Sequence, residues 1–174
     1  MIETARLRVR PWRDSDRAPF AAMGQDAEVM RYLGPPLSHA ASDAAVDRMI
    51  AAQAAQGFCF WALEQKSDGA FIGFCGLLPA TFDAVPANSI EAGWRLRRAA
   101  WGQGLASEAA RAVLDWGFAN GIDRIIAFTT VTNLPSQRVM QRIGMVRRAD
   151  LDFDHPRLVA DDPLRPHVVY EATP

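Results

Sequence analysis

Metal ligands are scarce in this chain of 174 residues. Its three histidines, His39, His155 and His167, are scattered, and metal-ligand spacing is absent, so no metal site is expected. Cysteine is nearly missing. Cys59 and Cys75 are the only two, both in apolar strand-like runs. Nothing indicates export, so free buried thiols in neighbouring strands are expected rather than a disulfide. Charge of one sign is also missing. The net charge of -1 gives no global basicity to hold nucleic acid or an anionic membrane. No run approaches the roughly 20 apolar residues of a transmembrane helix. The start, Met1 to Leu7, has no long apolar run after its charges, unlike a secretory signal. A cytoplasmic protein is expected. Repeats, low-complexity tracts and an internal linker are lacking too. With 49% hydrophobic and 22% charged residues, the composition suits one globular domain over residues 1–174 with a sizeable core.

What is present alternates between two periods. Leu7 to Arg10 reads as a short strand, and Pro11 stops it. Asp14 or Ser15 caps a helix carrying Phe20 and Met23 that ends at Gly24. A second short helix fits Glu28 to Leu33. Ser42 is the expected cap of a third, with Val46, Met49, Ile50 and Gln53 at helical spacing and Gly57 as its stop. Phe58 to Gln65 and Phe71 to Leu78 read as a hairpin around Ser67-Asp68-Gly69. Pro79 to Asn88 is expected to be a loop and Ser89 to Leu96 a strand. A helix with Leu105, Ala109, Ala112, Val113 and Trp116 on one stripe follows. Then come a β-branched strand, Ile125 to Val131, and a helix capped by Asn133 with Pro135 in its first turn and Gly144 as its stop. The tail is irregular apart from a strand at His167 to Glu171. One mixed α/β domain follows.

The richest segment is Trp101-Gly102-Gln103-Gly104-Leu105-Ala106-Ser107, between a strand and a helix. Glycines there let the backbone approach a ligand closely, and the helix start offers N–H donors and the positive end of its dipole. The segment is not a Walker loop, since no Lys-Ser/Thr follows, and G-x-G-x-x-G would need glycine at Ser107. A tight turn into a core helix is the plainer alternative.

This segment resembles the pyrophosphate loop of the GNAT superfamily of acyl-CoA-dependent N-acyltransferases. Trp101 stands where many members have Gln or Arg, and with Glu91-Ala92-Gly93-Trp94-Arg95-Leu96 it is similar to the RimJ/RimL-like subgroup. Asn133 to Gly144 resembles the family's N-x-x-S-x-x-x-x-x-x-x-G block. The resemblance implies a GNAT fold: a twisted, mostly antiparallel sheet of six or seven strands flanked by helices. Its fourth and fifth strands splay to admit acetyl-CoA as co-substrate. It also implies that Leu96, Arg97, Trp101, Gly102, Gln103, Gly104, Leu105, Ala106, Ser107, Asn133, Ser136 and Arg138 bind the cofactor. The backbone N–H of Leu96 or Arg97 would serve as oxyanion donor. Arg142 is a further candidate for the 3′-phosphate. The subgroup admits a homodimer.

The implied reaction is direct attack of a primary amine, on a protein N-terminus or a small molecule, on acetyl-CoA. A protonated amine cannot attack, so a base or water relay is needed. Glu91 is the first candidate, on one strand face with Gly93 and Arg95; pairing with an arginine is its structural alternative. Asp154 and His155 are second candidates and equally fit turn formers before Pro156. Many members carry a tyrosine seven residues after the Asn, as acid for the leaving thiolate. Met140 stands there in this chain, and Ser136 or solvent is the substitute. A non-catalytic acyl-CoA-binding module is the rival reading, and a protein for another nucleotide is the third. Trp12, Trp61 and Trp94 fit either the acceptor cleft or the core.

Overall fold

A computed structural model describes residues 1–80, 84–86 and 88–174. The alternating and aromatic runs become the strands of one nine-stranded sheet. These are β1 (Ile2–Glu3), β2 (Leu7–Arg10), β3 (Phe60–Gln65), β4 (Phe71–Pro79), β5 (Ile90–Leu96), β6 (Ile125–Thr130), β7 (Val146–Arg147), β8 (Phe153–Asp154) and β9 (Pro166–Ala172). Their order is β1-β2-β3-β4-β5-β6-β9-β7, with β8 also on β9. Every pairing is antiparallel except β5 with β6. Three of the nine, β1, β7 and β8, are two residues long, so the body of the sheet matches the six or seven strands expected.

Among the described residues, five α-helices cover the sheet: α1 (Arg17–Gln25), α2 (Ala27–Met30), α3 (His39–Gln56), α4 (Leu105–Ala119) and α5 (Leu134–Arg142). Phe20 of α1 packs edge-on to Trp12 and reaches Phe74 of β4. On the opposite face, Trp116 of α4 meets Trp61 of β3 edge-on at 5.0 Å. The fully buried Leu7, Val9, Leu63, Ile72, Leu77, Val113 and Ile125 fill the core between sheet and helices. Cys59 and Cys75 lie there unbonded, and loss of water pushes the Cys59 thiol up to about 12.

Several boundaries differ from expectation. Ser38, not Ser42, caps α3 through Ala41 N–H. Ser42 lies inside the helix, fully buried, with its hydroxyl unpartnered. The second helix is shorter and earlier, because Asp26 caps it. Asp154 joins Phe153 in strand β8, drawn in by pairing with His167 and Pro166, whereas His155 does open a turn at Pro156, its carbonyl accepting from Leu158 N–H. Within the loop expected over Pro79 to Asn88, residues 81–83 and 87 lie outside the described residues.

The feature that positions the site is a parting of strands. β5 and β6 pair only at Ile90 with Ile125 and at Glu91 with Ile126. Beyond that, β5 continues to Leu96 along β4, and β6 continues to Thr130 along β9. Each is held by its outer partner, so a gap opens between their C-terminal halves. Both strands then lead into helices whose N-termini flank that gap.

Candidate active site

The loop between β5 and α4 is built as an open donor array. Gly102 and Gly104 have φ of +74° and +76°, a left-handed conformation that side-chain-bearing residues rarely adopt. Gly104 occupies the cap position of α4 and has no side chain to fold back on the helix. The first intrahelical bond runs from Glu108 N–H to the Gly104 carbonyl. The six amides from Gly102 to Ser107 therefore carry no partner among the described residues. Glu108, in the first turn of α4, is turned away from the loop. Its carboxylate accepts from Thr4, from the Arg6 amide and from the Arg6 guanidinium. Burial pushes its pKa up, but those bonds outweigh it and hold it below the usual carboxylate range. Arg6 also bonds the Gln103 carbonyl at 2.9 Å, and Gln103 donates to Ala99. The loop is pinned from behind while its amides stay free.

The edge of β5 adds to this array. Antiparallel pairs exchange bonds at alternate residues. The bonds Arg97 N–H to Ile72 O and Ala80 N–H to Ser89 O fix which ones face β4. The Trp94 and Leu96 amides consequently point the other way, into the gap. The Leu96 carbonyl on that edge accepts from the Trp101 indole at 2.7 Å. Of the two oxyanion donors expected, the Arg97 amide is thus engaged with the sheet at 2.9 Å and corrected out of that role, while the Leu96 amide faces the gap.

Glu91, Gly93 and Arg95 share the face of β5 that looks toward α1. Glu91 forms no ion pair or hydrogen bond among the described residues, so the expected arginine pairing is not what holds it. Desolvation of its carboxyl raises its pKa to about 8. The ring of Phe60 occupies the place that a Cβ on Gly93 would take, 2.6 Å away. Phe60 stacks on Phe74 at 5.4 Å, and the Arg95 guanidinium lies 5.2 Å over Phe74 and 4.9 Å over Phe20.

The β6 side is bound to itself. The Asn133 amide accepts from Ser136 N–H as the cap of α5 and donates to Thr129 Oγ1 at 2.9 Å. Gln137 donates to the Val131 carbonyl. Met140 is buried and carries no proton to give. Ser136 is half-buried beside the cap, with its hydroxyl unengaged among the described residues. Arg138 is exposed and unpaired among the described residues, and the Arg142 carbonyl takes a bond from Arg111 of α4.

Asp154 and His155 stand elsewhere, by a cavity of about 330 Å³ lined by Val131, Asp152, Phe153, Asp154, Pro166 and His167. Asp154 pairs with Arg165, and His155 packs 5.0 Å from His167. Burial, then the neighbouring His167, lowers the His155 pKa. The tryptophans divide. Trp12 and Trp61 are core residues, with Trp12 bonded to the Phe60 carbonyl and Trp61 to Gln53, whereas Trp94 is half-buried. Sequence reasoning missed the isolation of Arg95, whose only signal was its place two residues after Gly93 on the Glu91 face.

Residues 6–146 match the family model described as acetyltransferase (GNAT) domain. The Bacillus subtilis protein YkkB is 33% identical over 146 residues, covering 83% of this chain and 84% of that one. An acetyltransferase of the GNAT family from Bacillus anthracis superposes with a TM-score of 0.81 at 24% identity, over 99% of this chain and 97% of its own. RimL, the ribosomal L7/L12 alpha-N-protein acetyltransferase solved in complex with coenzyme A, superposes with a TM-score of 0.77 at 16% identity, over 98% and 95%. Among the described residues no helix is long and apolar enough to cross a membrane. The chain belongs to the GNAT acetyltransferases, in their RimJ/RimL-type family.

Proposed function

We propose that this protein is an acetyl-CoA-dependent N-acetyltransferase, with residues 1–174 acting as one catalytic domain that acetylates a primary amine in a ternary complex. The observation that carries the reading is the row of six free amides at the head of α4, opening onto the gap between β5 and β6. The residues fit coenzyme A. A diphosphate is matched by the amides of Gly102, Gln103, Gly104, Leu105, Ala106 and Ser107 with the α4 dipole. The amide-bearing pantetheine arm is matched by the free Trp94 and Leu96 edge of β5, with Trp101 closing over the Leu96 carbonyl. Asn133 flanks the gap, although its amide already caps α5 and bonds Thr129. Arg138 is free to meet the 3′-phosphate. Two unbonded buried cysteines suit a reducing cytoplasm.

Acetyl-CoA supplies the thioester carbonyl that the amine attacks. Glu91 takes the proton from the incoming ammonium. Its raised pKa brings it close to that of an α-amine, near 8, which is what proton exchange between the two requires. The Leu96 amide donates to the carbonyl oxygen as negative charge develops there. As the intermediate collapses, its nitrogen gives up its second proton through water to Ser136 while the Ser136 hydroxyl passes its own proton to the departing thiolate. Holding amine and thioester together lowers the barrier by several kcal/mol more.

A thiol-release assay with acetyl-CoA across N-terminal peptides, polyamines and aminoglycosides tests the reading. Release of free CoA that depends on the amine is expected. Coenzyme A binding with no release for any amine would instead establish a binding module.

A further inference from the structure

Arg10 and Arg95 are treated very differently. Arg10 is 3% exposed and bonds both oxygens of Asp16 and one of Glu64, so its charge is answered twice. Arg95 has no carboxylate among the described residues. Its Nε is buried without a partner, and its Nη1 reaches only the sulfur of Met30, at 3.1 Å. The guanidinium is wedged between Phe74 of β4, Phe20 of α1 and Met30 of α2. Contacts with aromatic faces return part of the cost of removing a cation from water, but not all of it. The remainder is visible as a pKa lowered by desolvation to about 10. Arg95 is nonetheless half-buried rather than sealed, as are Glu91, Phe60 and Phe74 on the same face. An anion arriving along this face would find a planar fork of donors already stripped of water.

We propose that Arg95 binds a carboxylate on the acceptor, so that the substrate is an amine whose apolar body ends in that anion. The proposal rests on the reading of the Glu91 face as the acceptor side. Glu91 and Arg95 are four residues apart on one strand, a Cα separation of about 13 Å. Between them the Phe60 ring covers Gly93, and it stacks on Phe74 beside Arg95, an aromatic floor suited to an apolar linker. A free amino acid, with both groups on one carbon, is too short to span amine site and anion site. An extended tetrapeptide spans about 13–14 Å and is long enough.

The probe is a pair of apolar tetrapeptides with free N-termini, identical except that one ends in a carboxylate and the other in a carboxamide. Thiol release with acetyl-CoA should favour the carboxylate by about 10- to 100-fold in kcat/KM, expressed mainly in KM. Arg95→Met should abolish that preference. Arg95→Lys should restore part of it, since it keeps the charge and loses the two-pronged fork. Equal kcat/KM for the two peptides in the unaltered protein overturns the proposal, as does an undiminished preference in Arg95→Met. Titration calorimetry of both peptides into CoA-saturated protein gives the same ratio without turnover. If no amine releases CoA, the transferase reading falls, and the calorimetric ratio alone then decides for or against Arg95.

Discussion

The gap in the sheet has two arms, and they differ in how much of their polar chemistry is already spent. The β6–α5 arm is largely closed on itself: Asn133 caps the helix and ties to Thr129, Gln137 holds the Val131 carbonyl, and Met140 is in the core, leaving the Thr130 and Ser136 hydroxyls and the Arg138 guanidinium without partners among the described residues. The β5–α4 arm is open. Its helix start has six free amides, its strand edge presents the Trp94 and Leu96 amides, and its face carries an acid and a guanidinium without ionic partners among the described residues. Unsatisfied groups cost stability unless a ligand completes them. On the proposed function, the contrast gives the diphosphate and the acceptor's proton to the β5–α4 arm and leaves the β6–α5 arm the smaller share, at Ser136 and Arg138. Substitutions on the two arms should behave in opposite ways.

The largest effect is expected at Glu91. Glu91→Gln should lower kcat/KM by about 10²- to 10⁴-fold while leaving the Kd for CoA unchanged. The same substitution should raise thermal stability. A carboxyl with a folded pKa near 8 binds a proton that the unfolded chain, at the ordinary carboxylate value, has released. Stability contributed by that protonated group is complete at acid pH and is lost as pH rises toward 8. The Tm advantage of Glu91→Gln should accordingly be absent near pH 4 and grow up to about pH 8. In the unaltered enzyme, turnover should rise over the upper part of this range as Glu91 ionises. Unchanged turnover in Glu91→Gln would move the base to another group and break the assignment of the open arm.

Gly104 comes next. A Cβ there would meet nothing closer than Arg6 Nη2 at 3.7 Å, so room is not the constraint. Backbone conformation is: φ of +76° is strained for a β-branched residue. Gly104→Val should turn the loop amides out of register and weaken CoA binding by about 10- to 100-fold, equivalent to ~1–3 kcal/mol. Calorimetry with CoA reads this directly. Unaltered affinity would show that the row of amides does not hold the diphosphate.

Much of this contrast lies beyond what a sequence carries. The strand–turn–helix order around Gly102 and Gly104 was legible because glycine in a turn and an apolar stripe at helical spacing are local signals. So was the capping of α5 by Asn133 with Pro135 behind it. The cap of α3 was misplaced because Ser38 and Ser42 offer the same local chemistry, and only packing of Ser42 beneath α1 decides between them. The two-residue strands β1, β7 and β8 have too little periodicity to announce themselves and exist only through their partners. Freedom is the least legible property. An arginine partner for Glu91 is an open reading of the chain, and nothing local says that the Phe60 ring covers Gly93 between Glu91 and Arg95. The phase of the β4–β5 bonds, which separates the Leu96 amide from that of Arg97, is likewise a property of two strands together.

The smallest effects should fall on the β6–α5 arm. Asn133→Ala removes a helix cap and should cost about 1 kcal/mol, a Tm drop of ~2–4 °C. The Kd for CoA should move less than about 3-fold, or ~0.6 kcal/mol, because both ends of the amide are already engaged within the protein. Ser136→Ala sharpens the point further. Its hydroxyl is the one group on this arm placed to return a proton, yet a thiol of ordinary pKa near 8.5 leaves readily as thiolate. Loss of the hydroxyl should lower kcat by no more than about 5-fold, with KM unchanged, because solvent entering the gap can protonate the product. A 100-fold loss at Ser136 would mean that the closed arm carries an indispensable step, and the division of labour between the two arms would have to be redrawn.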